Sequence, residues 1–353
     1  MENAAYSSMK VFYHADRIEA LKRGDKIAPV YVRIKPTNVC NQKCYYCVYA
    51  DDQVFNNRKV NRCESIPWEK MQEIFADIVD MGVKAVTFSG GGEPLCYHSI
   101  VPTLKMVKDS GIDYSLITNG QELYGEKADL LSEAKWIRIS MDAADEKTYE
   151  KIRRVSTYQS VLKNIEGFAK KKGKNCTLGI NFVVTKDNYL DIYNFCSTMR
   201  DIGVNNIKFS PLMVKNSLDY HKGIKNDVEE QLKRAKADLE TNEFDVVDKY
   251  SGDMMLDENF EKQYCICYMK NLFTVIAADQ NVYFCHQKAY RPDGLIGSIA
   301  ERSFKELWFS DETAEIFRNM NAKKECDFRC AFEERNLLLN HLFSLDKNHV
   351  NFI

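Results

Sequence analysis

From residue 30 onward the chain alternates two kinds of apolar pattern. Short runs dense in β-branched and aromatic residues read as buried strands: Tyr31–Thr37, Ala85–Ser89, Tyr114–Thr118, Trp136–Met141, Leu178–Thr185 and Ile207–Leu212. Between them apolar positions recur at helical spacing, as in Trp68–Met81, Tyr158–Lys170 and Leu190–Ile202. Gly82, Gly111 and Gly203 stand where such helices should stop. Strands that alternate with helices pair in parallel through right-handed crossovers. Six such units are too few for a closed eight-fold barrel. The expected fold is therefore α/β, a partial (β/α)6 TIM barrel, with its chemistry at the C-terminal ends of the strands.

The distinctive residues do fall at those ends. Cys40 follows the first strand, Gly90–Pro94 the second, and Asn119 and Gly120 the third; Ser140 and Asp142 end the fourth, Pro211 and Leu212 the sixth. After about residue 215 the pattern weakens. Asn226–Glu240 has mixed charges at i,i+4 spacing and predicts a solvated helix linking two parts. Further on, Phe273–Cys285 reads as strand, turn, strand about Asp279–Asn281, followed by a helix over Ser303–Asp311. The last residues, from Asn348, are apolar enough to be docked rather than frayed. These patterns divide the chain into a lead-in (1–29), a barrel (30–215), a helical linker (216–262) and a small C-terminal α+β unit (263–353).

Composition narrows the class. A chain of 353 residues holds one large domain and a smaller appendage. The net charge of −2 gives no footprint for nucleic acid or anionic membrane, and the basic run Lys170–Lys174 is a helix end well placed for its dipole. No apolar run is long enough to span a membrane and no leader is recognisable at the start, so a cytoplasmic protein is expected. Twelve cysteines are many for a reducing compartment, and they cluster. Cys40, Cys44 and Cys47 stand together, as do Cys265, Cys267, Cys285, Cys326 and Cys330 nearer the end. Such clustering points to metal.

Three thiolates within Cys40-Asn-Gln-Lys-Cys44-Tyr-Tyr-Cys47 suit one face of an iron–sulfur cubane, leaving one iron open; zinc would want a fourth ligand nearby. With Tyr46 just before the third cysteine, this segment resembles the signature of the radical S-adenosylmethionine superfamily. Gly90-Gly91-Gly92-Glu93-Pro94 resembles the family's GGEP motif, which meets the methionine amino group, and Ser140-Met-Asp142 its ribose-binding strand end. Arg153 matches an arginine that faces the cofactor carboxylate, Leu212 an apolar residue near the adenine, and Asn181 a further cofactor contact. The resemblance covers roughly residues 30 to 215. It implies a 4Fe–4S cluster on Cys40, Cys44 and Cys47, bound S-adenosylmethionine, its reductive cleavage to a 5′-deoxyadenosyl radical, and a flavodoxin- or ferredoxin-type reductant.

The C-terminal order of hairpin, helix and Cys326-Asp-Phe-Arg-Cys330 resembles the auxiliary-cluster extension called SPASM, or twitch in its shortened form. A full SPASM holds two clusters and needs more cysteines than these five. One auxiliary 4Fe–4S cluster on Cys267, Cys285, Cys326 and Cys330 is the better count, with Cys265 competing with Cys267 and a four-cysteine zinc site as the alternative. The hairpin glycine usual in the family is replaced here by Gln280.

An auxiliary cluster fully ligated by protein can accept an electron from a substrate radical, giving net dehydrogenation. A thiol returning hydrogen from the opposite face would give epimerisation instead, with Cys96, Cys265 and Cys63 as spare candidates. A cluster motif starting at residue 40 leaves no room for the peptide-recognition domain of many relatives, so a small polar substrate is expected: an amino sugar, cyclitol or sugar nucleotide. Peptide modification is the runner-up, and an iron–sulfur electron carrier the non-enzyme alternative. No general base is evident, because the facing of Lys208 and Arg138 on their strands is not fixed by the pattern.

Overall fold

The ten strands are β1 (Tyr31–Ile34), β2 (Ala85–Phe88), β3 (Asp113–Thr118), β4 (Trp136–Ser140), β5 (Thr177–Val184), β6 (Asn206–Pro211), β7 (Asp245–Asp248), β8 (Phe273–Ile276), β9 (Asn281–Tyr283) and β10 (Leu295–Ser298). They form one sheet in the order β10-β9-β8-β1-β2-β3-β4-β5-β6-β7. The computed structural model describes residues 7–49, 58–214, 216–251, 260–326, 328–346 and 348–351. Among these, β1 to β8 all pair in parallel, and only β9 and β10 run antiparallel to their neighbours. The sheet does not close on itself, its free edges being β7 and β10, so the barrel is partial as expected.

The helices are α1 (Ala15–Arg23), α2 (Trp68–Asp80), α3 (Ile100–Asp109), α4 (Gly125–Leu131), α5 (Glu146–Arg153), α6 (Tyr158–Lys171), α7 (Ile192–Ile202), α8 (Ser217–Lys222), α9 (Lys225–Leu239), α10 (Met269–Leu272), α11 (Phe304–Phe309), α12 (Asp311–Asn319), α13 (Ala322–Glu325) and α14 (Glu333–Ser344). Each crossover helix buries an apolar stripe against the outer face of the sheet. Helix α2 does so with Met71, Ile74, Phe75 and Ile78, α7 with Ile192, Phe195, Cys196 and Met199. Helix α7 stops at Gly203, whose φ of +96° closes the last turn on the carbonyls of Met199 and Arg200.

Three expectations change. The count of six parallel strands becomes eight. Strand β7 carries only two valines between aspartates, too short a signal to see, and the pairing of β8 with β1 joins residues some 240 positions apart, which no local pattern encodes. The segment expected to be a helical linker therefore contains a sheet strand. Helix α9 is not a solvated connector: Val228, Leu232, Ala235 and Leu239 are buried and the helix packs on α7, while its charges pair along the outer face, Arg234 with Asp238 at 3.5 Å. The boundary drawn at 215 falls outside the described residues. Finally, Asn348–Asn351 is exposed rather than docked, and residues 352 and 353 lie outside the described residues.

The hairpin β8–β9 is thus an extension of the barrel sheet. A second core beneath it gathers Val11 and Ile18 from the lead-in with Phe273, Tyr283, Tyr290 and Leu339. Gln280 at the hairpin turn adopts φ +57°, the left-handed conformation that favours glycine, with the Asp279 carboxylate accepting from Asn281 N at 3.2 Å beside it. Among the described residues no helix is long and apolar enough to cross a membrane.

Candidate active site

The first cysteine cluster lies in the loop that leaves β1. Pro36 ends the strand, Thr37 makes an isolated bridge with Ser65, and Asn38 donates to the carbonyl of Asn61 at 2.9 Å. Farther along, Lys43 N and Tyr45 N donate to the carbonyls of Arg153 and Ile152, both at 3.2 Å. Cys40, Cys44 and Cys47 are carried by this pinned loop, each partly exposed. Burial pushes the Cys40 thiol up to about 12 and raises Cys44, whose sulfur also receives Arg153 Nη1 at 3.5 Å. Metal binding deprotonates such thiols.

The glycine motif lies directly against that loop. Gly92 N donates to Thr37 O at 3.0 Å and Glu93 N to Val39 O at 2.8 Å. A Cβ on Gly92 would sit 2.1 Å from Val39 O, and one on Gly91 2.1 Å from Asn38 Oδ1. These glycines are needed for close backbone packing. Glu93 does not present its carboxylate to a ligand amine. It is buried, and its oxygens accept from Leu95 N at 3.0 Å, Thr118 Oγ1 at 2.6 Å and Asn119 N at 2.7 Å, fastening the end of β2 to the end of β3. Asn119 in turn donates to Asn41 Oδ1 at 2.7 Å, tying β3 to the cysteine loop.

Asp142 departs from expectation in the same way. Its Oδ1 accepts from Val183 N at 2.9 Å, and its Oδ2 accepts both Arg153 Nη2 at 2.5 Å and the hydroxyl of Tyr46. The carboxylate is 1% exposed, so it holds Tyr46 and Arg153 in place and meets no sugar hydroxyl. The oxygens left open at this strand end are those of Ser140, directly across from Asn181 in the β4–β5 register, and Asn181 Oδ1, which is buried without a hydrogen-bond partner. Leu212 is buried just past β6, its N donating to Val184 O at 3.0 Å.

Inside the barrel the facing of the strand residues is now settled. Phe209 turns outward onto Phe182, which meets Phe195 of α7 (ring centroids 5.1 and 4.9 Å), so Lys208 beside it points inward. Burial pushes Lys208 down to about 7, with Arg138, Arg33 and Lys249 adding to the effect. Arg33 shares the inner face with Tyr31, whose hydroxyl donates to Thr87 at 2.7 Å. Lys35, 1% exposed, donates to Tyr49 OH at 2.6 Å, and Arg58 lies over the same ring at 5.0 Å. His286 is set edge-on to Phe273 and Phe332, and its Nδ1 is buried without a hydrogen-bond partner. This cationic lining went unseen in the sequence because its residues come from segments far apart in the chain: β1, the loop at Arg58, β4 and β6.

The four later cysteines converge. Cys267, Cys285, Cys326 and Cys330, from three separate segments, line one cavity together with Lys262 and Asn336. Cys265 is exposed and does not line it. Asn336 Nδ2 donates to Cys267 Sγ at 3.5 Å and Lys262 Nζ to Cys330 Sγ at 3.6 Å, hydrogen bonds that suit thiolates. Among the described residues no three His, Cys, Asp or Glu groups converge tightly enough to hold a single metal ion. Four thiols lining one cavity are a donor set that suits an iron–sulfur cluster. Of the spare thiols, Cys63 is also exposed; Cys96 is half-buried beyond Glu93, and burial pushes it up to about 11.

Comparison with known proteins agrees with this geometry. The family model described as the radical SAM superfamily matches residues 34–199, and the SPASM model, an iron-sulfur cluster-binding domain, matches residues 265–331. A GTP 3',8-cyclase of Clostridium perfringens is 30% identical over 215 residues, 58% of this chain and 62% of the relative. A probable GTP 3',8-cyclase of Methanocaldococcus jannaschii is 30% identical over 57% of this chain and 66% of its own length. The chain thus spans somewhat under two thirds of these relatives. Among solved structures, Streptococcus suis SuiB bound to its precursor peptide SuiA superposes with TM-score 0.65 at 17% identity, over 91% of this chain and 74% of that one. Native anSMEcpe with bound AdoMet superposes with TM-score 0.60 at 18% identity, over 92% and 100%. At such identities the likeness is one of fold. With the cysteine loop, the glycine turn and the four-cysteine cavity all in place, residues 34–199 form a radical SAM domain and residues 265–331 a SPASM iron–sulfur cluster-binding domain.

Proposed function

We propose that this protein cleaves S-adenosylmethionine reductively and removes hydrogen from a small polar substrate, an amino sugar, cyclitol or sugar nucleotide, with net dehydrogenation as the outcome. When bound, the first cluster and S-adenosylmethionine supply a 5′-deoxyadenosyl radical, and an auxiliary cluster supplies an electron acceptor. Cys40, Cys44 and Cys47 hold the first cluster on the pinned loop. The oxygens of Ser140 and Asn181 accept from the ribose hydroxyls, Leu212 packs near the adenine, and Arg153, oriented by Asp142, keeps its remaining donors towards the cofactor carboxylate. Cys267, Cys285, Cys326 and Cys330 hold the second cluster, and the barrel interior between the two receives the substrate.

The observation that carries this reading is the convergence of those four cysteines on one cavity, joined to the barrel through the continuous sheet. An auxiliary acceptor so placed favours oxidation. The relatives named for GTP support a small polar substrate over a peptide. Epimerisation would depend on Cys96 as hydrogen donor, since Cys63 and Cys265 lie exposed.

The test is anaerobic. Protein with both clusters reconstituted should release 5′-deoxyadenosine on reduction with dithionite, and Cys44→Ala should release none. An iron–sulfur electron carrier would yield no such product from either form. Product mass then separates the outcomes: a loss of two hydrogens for dehydrogenation, no change for epimerisation.

A further inference from the structure

The cations inside the barrel have no counterpart in the cofactor sites. Arg33 (β1), Lys35 (just beyond β1) and Lys208 (β6) surround His286: Arg33 acts on both lysines, and all three act on the imidazole. Arg58 and Arg138 add to the same field. Among the described residues no carboxylate forms an ion pair with Arg33, Lys35 or Lys208. Arg33 Nε is buried without a hydrogen-bond partner, and its Nη2 donates to the hydroxyl of Tyr31 at 3.4 Å. Among the described residues Lys35 has only the hydroxyl of Tyr49 and the faces of Tyr49 and Tyr290, at 4.2 and 5.1 Å.

Burying like charges together is costly unless an anion completes the set. A fold gains nothing from such an arrangement, whereas a ligand of opposite charge does. The chemistry is specific. Arginine offers a planar fork to phosphate oxygens and lysine a compact point charge. Lys208 shares its register row with Asn181 and, through it, Ser140, so the space begins at the layer of the open rim oxygens. On its other side it meets His286 and Cys285 at the edge of the four-cysteine cavity.

We propose that Arg33, Lys35 and Lys208 form a phosphate-binding chamber, and that the substrate is a phosphate or diphosphate ester whose reacting carbon is held at the rim while its anionic end is anchored in the barrel. The proposal deepens the reading of the barrel as substrate chamber and rests on it. It selects the phosphorylated members of the substrate class and leaves a neutral cyclitol or amino sugar without a counter-charge.

The experiment is calorimetric titration of the anaerobic, cluster-loaded protein with inorganic pyrophosphate, a nucleoside diphosphate and a sugar monophosphate. Saturable binding of pyrophosphate, weakened by added salt, is expected, and whichever of the other two binds more tightly identifies the ester's source. Arg33→Gln and Lys208→Met should each weaken pyrophosphate at least ten-fold, with Lys163→Gln on the exposed face of α6 unchanged. Arg33→Lys keeps the charge and should recover part of the loss, which separates anion binding from a folding defect. No binding by the unaltered protein, or equal binding by all variants, overturns the chamber. If 5′-deoxyadenosine is released but pyrophosphate is not bound, this inference fails and the proposed function stands. If pyrophosphate is bound but no 5′-deoxyadenosine is released, the chamber stands and the proposed function fails.

Discussion

A single carboxylate, Asp142, fixes two side chains at the cofactor rim. Removing it by Asp142→Ala strands the Arg153 guanidinium, 4% exposed, without its counter-charge. Breaking a buried pair this way costs about 3–5 kcal/mol, so the variant should melt several degrees lower in a thermal scan. Lys208 makes a second prediction at this scale. Its ammonium is disfavoured by burial and by Arg138, Arg33 and Lys249, so the folded protein sheds this proton near pH 7 while the unfolded chain keeps it until about 10.4. Between those values the unfolded state binds more protons, and stability rises with pH. Lys35, also depressed by burial, acts in the same direction. The melting temperature of ligand-free protein should therefore climb from pH 7 to pH 9, and Lys208→Met should flatten that climb. An unaltered slope in the variant would remove Lys208 as its source.

At the scale of elements, the cysteine loop owes its shape to the turn after β2. Gly92→Ala would drive a methyl group to within 2.1 Å of Val39 O and 2.4 Å of the Asn38 carbonyl carbon, backbone that cannot swing away. The loop should lose its cluster while the C-terminal cluster survives, taking iron from about eight to about four per chain. Iron analysis and electron paramagnetic resonance of the reduced protein read both quantities. The C-terminal cavity gives the complementary case. Cys267→Ala should cost about four irons and Cys265→Ala none, because only the former sulfur lines the cavity. Equal losses in the two variants would return the ligand assignment to the ambiguity the sequence left.

On the scale of the whole molecule, both cysteine sets hang from one sheet. Strand β8 lies beside β1, so the hairpin leading to Cys285 and the loop carrying Cys40 depart from adjacent strands. Tyr290, held at φ +64°, donates its hydroxyl to Asn38 Oδ1 at 2.5 Å and links the two regions directly. The alternation of strands and helices, the cysteine spacing, the glycine turn and the residue at the hairpin tip were all legible in the chain, because each is written in neighbouring positions. Other features were decided only by folding. The tertiary structure turned Glu93 and Asp142 from expected ligand contacts into fasteners between strand ends, set Cys267 in the cavity lining and left Cys265 exposed, and converted α9 from a solvated connector into part of the barrel wall. It also gathered Lys208, Arg33 and Lys35 around His286. Sequence alone determines which groups a chain has and the local path that carries them. Which groups meet is settled by strand pairing across hundreds of residues, and electrostatic character arises only where they meet.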